Sequence, residues 1–345
     1  MAEKLFTDFP PISTQQWETV IEKDLKGADY SKKLVWKTEE GLSIRPYYRQ
    51  EHLKEIRHLN TEPGEFPFVR GTKEENHWLV RQGYCAHDDY GEANRQALDG
   101  ISKGVDSVGF CIDGDKECTP TDMATLLSGI DIEKIEINFE GCRSTTALSY
   151  IHSFIAYIQS QKADFQRIHA SFDFDSPDIL KTCVEAVRPF PHIRVANVEA
   201  YDLHAAGATI VQELAFGLAI GSDYMSHLTD QGILPDEAAH RIQFTFAVGS
   251  NYFMEIAKFR AARLLWANIV KAYGATNECN MKMKTHAVTS PWNQTIYDPY
   301  VNMLRGTTEA MSAAIAGVDS IEVLPFDYAF APRLNLAIES PATPK

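Results

Sequence analysis

Apolar and polar residues follow two periodicities from residue 78 onward. Short segments of alternating or continuous apolar residues predict strands, and longer segments with apolar residues three or four apart predict helices between them. The predicted strands are Trp78–Tyr84, Ser107–Asp113, Lys134–Glu140, Arg167–Phe174, Ile193–Tyr201, Arg241–Gly249, Met281–Val288 and Ser320–Asp327. Eight strands alternating with helices over about 250 residues predict an α/β fold, the (β/α)8 or TIM barrel, with a doubly wound open sheet as the alternative.

Several predicted strands carry polar side chains at alternate positions, although barrel strands are usually apolar on both faces. The polar positions are Glu136, Asn138, Glu140, His169, Ser171, Asp173, Gln243, Thr245, Lys282, Lys284 and His286. Because the face toward the helices must be apolar, these side chains are expected to point into the barrel. Buried charges must pair, so the sequence predicts a bore filled by side chains of opposite charge. An open antiparallel sheet with one solvated face is the alternative.

The first 70 residues lack this periodicity and are predicted to form an extended N-terminal arm. Ser13 and Gln16 have the spacing of a capping box, and a short helix is expected around Trp17–Lys26, with Gly27 placed to end it. Residues 71–345 are predicted to form the barrel. Its closing helix is expected to be truncated, because only Arg333–Ser340 has helical character after the last strand.

The charge balance excludes two classes of partner. With 33 lysines and arginines against 47 aspartates and glutamates, the net charge of -14 would repel nucleic acid and anionic membranes. Because the sequence has neither an apolar run long enough for a membrane helix nor an export signal, a cytoplasmic location is expected. The six cysteines are widely separated, which predicts reduced thiols rather than disulfides or a zinc site.

Acidic and histidine residues lie near the predicted carboxyl ends of the strands, where barrel enzymes keep their chemistry. They are Glu140, Asp173, Asp175, Glu199, Asp202, His204 and His286. A metal-dependent hydrolase would use Asp173, Asp202 and His286 as ligands. Because Lys282 and Lys284 are predicted on the same lining and would oppose a cation, we favour charge pairing and predict no metal site.

Several segments carry a more specific signal. They are PFVRG (67–71), WLVRQG (78–83), YDLHAAGATIVQELAFGLAIG (201–221), AVGSNYFMEIAKFRAARLLWA (247–267), KTHAVTSPW (284–292) and DPYVNMLRGTTEAMSAAIAG (298–317). This set resembles the acyl-CoA mutase barrel of the methylmalonyl-CoA mutase family. The resemblance implies a barrel that accepts an acyl-CoA along its axis and takes part in propionate metabolism. Its reaction would be the adenosylcobalamin-dependent interconversion of methylmalonyl-CoA and succinyl-CoA. The flavodoxin-like cobalamin domain of longer members is not expected in this chain.

At the family's functional positions this sequence departs from the catalytic members. Asp202 stands where they present a histidine, and Val288 stands where they have a glutamine. Leu324 and Tyr328 occupy positions at which an asparagine and a glutamate face the cofactor. Residues 72–77 are too few to carry the family's aromatic residue above the substrate, and no arginine matches the one that binds the substrate carboxylate. No catalytic residue is therefore expected in this chain.

These departures resemble the small, non-catalytic subunit of the heterodimeric members. The resemblance implies that the partner, a catalytic large subunit, binds adenosylcobalamin and the acyl-CoA. This chain would then be part of an isomerase, inactive alone, without a cofactor of its own, with its arm contacting the partner, and prone to self-association when isolated. One alternative is a catalytically active mutase barrel that works with a separate cobalamin-binding subunit and needs an open axial tunnel. The other is the metal-dependent hydrolase.

Four residues match family positions that contact substrate, namely Tyr201, Arg260, Arg263 and His286. The two arginines match positions near the CoA phosphates, but arginines on a long helix are also typical of solvated or interface positions. His286 is equally consistent with a core histidine. Asp202–Gly207 also matches D-x-H-x-x-G, the pattern with which cobalamin domains present a histidine to cobalt. Because a long apolar helix follows, we predict that His204 is a chance match.

Overall fold

The computed structural model describes residues 9–328, apart from residues 57, 88, 113–114 and 175–176. The chain divides into two compact units, Met1–Leu59 and Asn60–Lys345. The predicted helix at Arg333–Ser340 and the candidate residue Asp175 lie outside the described residues.

The first unit contains helix α1 (Thr14–Asp24), and its N-terminus confirms the predicted capping box. The Ser13 backbone N–H donates to the Gln16 side chain at 2.9 Å, and the Gln16 N–H donates to Ser13 Oγ at 3.2 Å. Three further elements were not predicted because they are short, namely helix α2 (Tyr30–Leu34) and the antiparallel strands β1 (Trp36–Lys37) and β2 (Ser43–Ile44). The Trp17 ring stacks on Tyr47 with 4.9 Å between centroids, so this unit has tertiary contacts of its own.

The second unit contains a sheet of parallel strands. They are β3 (Leu79–Cys85), β4 (Ser107–Cys111), β5 (Glu136–Cys142), β6 (Ala170–Phe174), β7 (Ile193–Arg194), β8 (Ala196–Glu199), β9 (Ile242–Val248), β10 (Thr285–Thr289) and β11 (Ser320–Glu322). The order is β7-β6-β5-β4-β3-β11-β10-β9-β8. The two outermost strands, β7 and β8, are halves of one segment interrupted at Val195, so the chain itself joins the edges of the sheet. The result is a ring of eight strand segments, which confirms the barrel and excludes the open and antiparallel sheets.

Helices cover the outer face of this ring. They are α3 (Tyr90–Ser102), α4 (Pro120–Leu126), α5 (Ser144–Gln161), α6 (Leu180–Ala186), α7 (Ala200–Ala205), α8 (Ile210–Asp230), α9 (Pro235–His240), α10 (Tyr252–Ala272) and α11 (Val301–Ala316). Phe139 on β5 stacks on Phe172 of β6 at 4.7 Å and meets Phe154 of α5 edge to face at 5.5 Å. Each such ring, removed from water, contributes about 2 kcal/mol to folding. In the described residues, no helix combines the length and apolar character that a membrane span needs.

Most of the strands begin later than their polar pattern predicted. Lys134 and Ile135 precede β5, and residues 281–284 precede β10 as a 3₁₀ turn and its exit. His169 precedes β6 and is exposed, with its ring stacked on His192 at 4.5 Å. Lys282 differs from the prediction, because its ammonium lies 5.6 Å from the centre of the Phe68 ring. The bore therefore receives Lys284 but not Lys282.

Candidate functional site

The bore of the barrel is filled by a hydrogen-bonded network around Arg81 of β3. Its Nη2 atom lies 2.9 Å from Glu136 Oε1 and 2.7 Å from Asn138 Oδ1, and its Nε donates to Ser107 Oγ at 3.1 Å. Ser171 Oγ on β6 donates to Asn138 Oδ1 at 2.6 Å, which extends the network to the next strand of the ring. Sequence analysis missed Arg81, because the polar residues Arg81 and Gln82 are adjacent in β3 and therefore show no alternation.

Glu136 also pairs with Lys284, whose Nζ atom lies 3.0 Å from Glu136 Oε2. Burial alone raises the pKa of Glu136, but the charges of Lys284 and Arg81 outweigh it and hold this pKa well below its ordinary value. The glutamate is therefore ionised between two cations. The prediction that opposite charges fill the bore is confirmed for these residues.

Above this network lies a cavity of about 210 Å³ at the carboxyl ends of the strands. Its lining comprises Arg81, Glu140, Ser171, Asp173, Asn197, Glu199, Tyr201, Gln243, Thr245, His286, Val288, Leu324, Glu322 and Tyr328. Four of these are carboxyl groups. Burial, followed by the nearby Asp173 and Glu140, raises the pKa of Glu199 well above its ordinary value. The cavity is thus polar and crowded with acidic groups.

Of the predicted substrate-contact residues, Tyr201 and His286 line this cavity. Burial, then the neighbouring Tyr328 and Glu322, raises the pKa of Tyr201 to about 12. His286 Nδ1 is 2.9 Å from Ser320 Oγ. Burial and then the charge of Arg81 lower the pKa of His286 to about 4, so its imidazole is neutral at neutral pH.

The two arginines on α10 lie outside the cavity. Arg263 is fully buried, and its Nε donates to the carbonyl of Phe68 at 2.9 Å while its Nη2 donates to that of Ala316 at 2.6 Å. A guanidinium engaged in this way ties helices to the chain segment before β3 and is not open to a phosphate. Arg260 is exposed on the same helix.

The residues of the proposed metal-dependent hydrolase do not meet. Asp173 and His286 line the cavity, whereas Asp202 is exposed on α7 and is not part of the lining. Within the described residues, no group of three histidine, cysteine, aspartate or glutamate side chains is arranged to hold a metal ion. The geometry does not favour this alternative.

A second buried ionic cluster, which sequence analysis missed, lies beneath α7. Lys258 Nζ is 2.7 Å from both Glu213 Oε2 and Glu255 Oε2, and all three side chains are inaccessible to solvent or nearly so. The 3-residue spacing of Glu255 and Lys258 on α10 was the only available signal. His204 Nδ1 lies 3.8 Å from Glu213, and its Nε2 lies 2.8 Å from Ser290 Oγ. The ring is thus held in the interior and does not fit a cobalt ligand.

The strand order and the filled bore define an α/β barrel with a closed axis and a small cavity at the carboxyl ends of its strands. The chain belongs to the methylmalonyl-CoA mutase family, whose model, described as methylmalonyl-CoA mutase, matches residues 37–187 and 177–337.

Three relatives illustrate this membership. The methylmalonyl-CoA mutase small subunit of Porphyromonas gingivalis (strain ATCC BAA-308 / W83) is 46% identical and matches 95% of this chain and 55% of its own length. The small subunit of Streptomyces virginiae is 30% identical, with 94% and 55% matched. The large subunit of the same Porphyromonas strain is 30% identical, with 86% and 47% matched. The chain spans about half the length of the curated relatives it matches.

Among solved structures, dihydropteroate synthase from Burkholderia cenocepacia is 16% identical, with a TM-score of 0.41 over 73% of this chain and 87% of that chain. A score this low carries no weight, and the barrel is established by the strand pairing.

Proposed function

We propose that this chain is the barrel of the small subunit of an adenosylcobalamin-dependent methylmalonyl-CoA mutase. In this proposal its role is structural, it is inactive alone, and it pairs with a catalytic large subunit in the cytoplasm. The family membership supports an isomerase, and the two Porphyromonas relatives, one a small and one a large subunit, support a partner of this kind.

The filled bore is the observation on which the structural role rests. An acyl-CoA lying along the axis would have to displace Arg81, Glu136 and Lys284 together. Those groups would then lose both ion pairs while still largely withdrawn from water, which costs several kcal/mol. The alternative of an active barrel requires an open axis, and the geometry does not favour it.

The small size of the cavity supports the proposal that adenosylcobalamin is held by the partner and not by this chain. Its volume of about 210 Å³ is below the roughly 300–1,000 Å³ of pockets for drug-sized ligands, and cobalamin is larger than those. His204 is hydrogen-bonded inside the fold and does not fit a cobalt ligand. Three of the departures noted in the sequence, Val288, Leu324 and Tyr328, line this cavity. In our proposal the large subunit therefore holds both adenosylcobalamin and the acyl-CoA.

We further propose that residues 1–70 are an arm that contacts the large subunit. A variant without residues 1–59 removes one compact unit and leaves the sequence of the other intact. It is expected to keep the thermal unfolding of the barrel and to lose affinity for the partner. Unchanged complex formation would show that the arm has another role.

The proposal is tested by co-expressing the full-length protein with a catalytic large subunit. We expect a one-to-one complex by size-exclusion chromatography with light scattering, and methylmalonyl-CoA isomerisation by the complex but not by this protein alone with added adenosylcobalamin. Calorimetric titration should detect no micromolar binding of methylmalonyl-CoA to this protein. Micromolar binding, or turnover without the partner, would falsify the structural role.

A further inference from the structure

Three residues at the mouth of the barrel form a cluster that the proposed function does not use. Cys85 ends β3, and its Sγ atom lies 2.9 Å from Nδ1 of His87. Both side chains are exposed. A ring nitrogen at this distance can accept a hydrogen bond from the thiol and take up its proton while the sulfur attacks, which is how a histidine assists a cysteine nucleophile.

A second thiol lies beside this pair. Cys111 ends β4 and is the Cα partner of Cys85 in the parallel ladder between the two strands. Neighbouring strands are about 4.8 Å apart, which is within the roughly 4.4–6.8 Å that separates the Cα atoms of a disulfide. A bond between two parallel neighbours would be strained, because their Cβ atoms point the same way rather than toward each other. Strained disulfides are readily reduced, which is the property of a reversible bond.

Strand alternation places both cysteines on the faces of their strands that point toward the barrel axis. Arg81 and Ser107 point into the bore and touch each other at 3.1 Å. Cys85 and Cys111 each follow one of them by four residues, so they share the inward face. Glu140, the Cα partner of Cys111 on β5, lines the cavity.

The other four cysteines provide internal comparisons. Cys118, Cys142 and Cys183 are buried, and burial raises the pKa of each, to about 12 for Cys118 and Cys183. These thiols stay protonated and shielded. Cys279 is exposed like Cys85, but in the described residues no histidine ring contacts its sulfur.

We propose that Cys85, His87 and Cys111 form a redox site whose substrate is a hydroperoxide. The Cys85 sulfur attacks the peroxide oxygen while its thiol proton passes to His87, and the O–O bond breaks. The leaving oxygen takes that proton back from His87, so the products are a Cys85 sulfenic acid and an alcohol, or water when the oxidant is hydrogen peroxide. The Cys111 thiol then attacks the sulfenic sulfur and releases water. The two thiols lose two electrons and two protons in total and end as one disulfide.

The test uses the full-length protein with hydrogen peroxide as the probe, followed by alkylation of the remaining thiols and peptide mass spectrometry. We expect a Cys85–Cys111 linked peptide, reversed by dithiothreitol, while Cys279 remains a thiol. Without peroxide, Cys85 should alkylate about tenfold faster than Cys279 at pH 7. His87→Asn should reduce that ratio to about one, and Cys111→Ser should leave a sulfenic acid that dimedone traps.

Cys279→Ser is the matched control and should change neither the linked peptide nor the rate at Cys85. Equal alkylation of Cys85 and Cys279, or oxidation of Cys85 that never yields the linked peptide, overturns the proposal. Protection of Cys85 from both reagents in the full-length protein overturns it as well.

Discussion

At the scale of single residues, ionic side chains are buried both inside the ring of strands and among its helices, and each depends on its counter-charge. Glu136 pairs with Arg81 and Lys284, and Lys258 pairs with Glu213 and Glu255. Removing one charged side chain leaves its former partner charged and buried without a counter-ion. The resulting loss of stability is larger than the net contribution of the complete ion pair. The stability of the barrel should therefore be sensitive to single changes at these positions.

Glu136→Gln tests this sensitivity. The change leaves Arg81 and Lys284 facing each other without their shared carboxylate, and we expect a loss of about 3 kcal/mol in the free energy of unfolding, measured with urea at pH 7. Asp99→Asn is the control, because it breaks the exposed ion pair with Lys103 and should cost about 0.5 kcal/mol or less. Equal effects of the two changes would contradict the role of the network.

Glu309 on α11 is expected to make the free energy of unfolding fall as the pH rises. It is buried, and burial raises its pKa to about 7, with the charge of Glu255 adding to the effect. Because the folded state binds this proton more tightly than the unfolded state, the contribution is complete below about pH 4.5 and is lost as pH rises to about 7. The wild-type protein should lose up to about 3 kcal/mol from this group over that range.

Glu309→Gln imitates the neutral acid and should remove that part of the pH dependence. Urea unfolding at pH 5 and pH 8 is expected to show the variant gaining stability over the wild-type protein at pH 8 only. Asp99→Asn serves again as the exposed control. An unchanged pH profile would show that Glu309 titrates normally.

At the scale of elements, the helices are held against the barrel by close contacts that differ from helix to helix. On α8, a Cβ atom added at Gly221 would lie 2.6 Å from Phe244 of β9 and 3.0 Å from Trp266 of α10. Both rings are fully buried. On α11, a Cβ atom at Gly306 would meet only Val323, at 3.5 Å. The two glycines are therefore present for different reasons.

Gly221→Ala should destabilise the protein by about 1–3 kcal/mol, because the added methyl group would overlap two rings that are fully buried in the core. Gly306→Ala should be neutral or stabilise by up to about 1 kcal/mol, because alanine is the better helix former. Thermal unfolding of both variants provides the comparison. A stabilised Gly221→Ala variant would mean that α8 packs less closely than described.

At the scale of the whole molecule, large apolar side chains are exposed in the segment that follows β10 and enters α11. Tyr297 is 95% exposed and Leu304 is 69% exposed. An apolar surface of this kind is typical of an interaction site. It supports the expectation that the isolated protein self-associates.

Tyr297→Ser combined with Leu304→Ser should reduce self-association in sedimentation velocity without lowering the melting temperature. Leu234→Ser is the matched control, because Leu234 is 70% exposed but precedes α9 at the opposite end of the barrel. If Leu234→Ser has the same effect, association depends on general hydrophobicity rather than on this segment.

Sequence periodicity was sufficient to predict the barrel and the polar character of its bore, although it missed Arg81 and placed Lys282 there wrongly. Alternation in β5 and β9 records directly which face meets the helices, because successive side chains in a strand point to opposite sides. Strand starts were predicted too early, since polar residues such as Lys134 show the same alternation before the ladder begins. Of the four residues to which the family resemblance pointed, Tyr201 and His286 line the cavity, whereas Arg260 and Arg263 lie outside it.

Other features depend on distances between residues far apart in the chain. Arg81 and Glu136 are 55 positions apart, and only the pairing of β3 and β5 with β4 brings their side chains within 2.9 Å. Arg263 has the same local sequence signature as an exposed arginine, yet its carbonyl partner at Phe68 lies 195 positions away. The sequence by itself determined the elements and the polarity of each face, because these follow from local periodicity. The tertiary structure alone decided which charges pair and that they close the bore, because pairing depends on how the ring of strands meets.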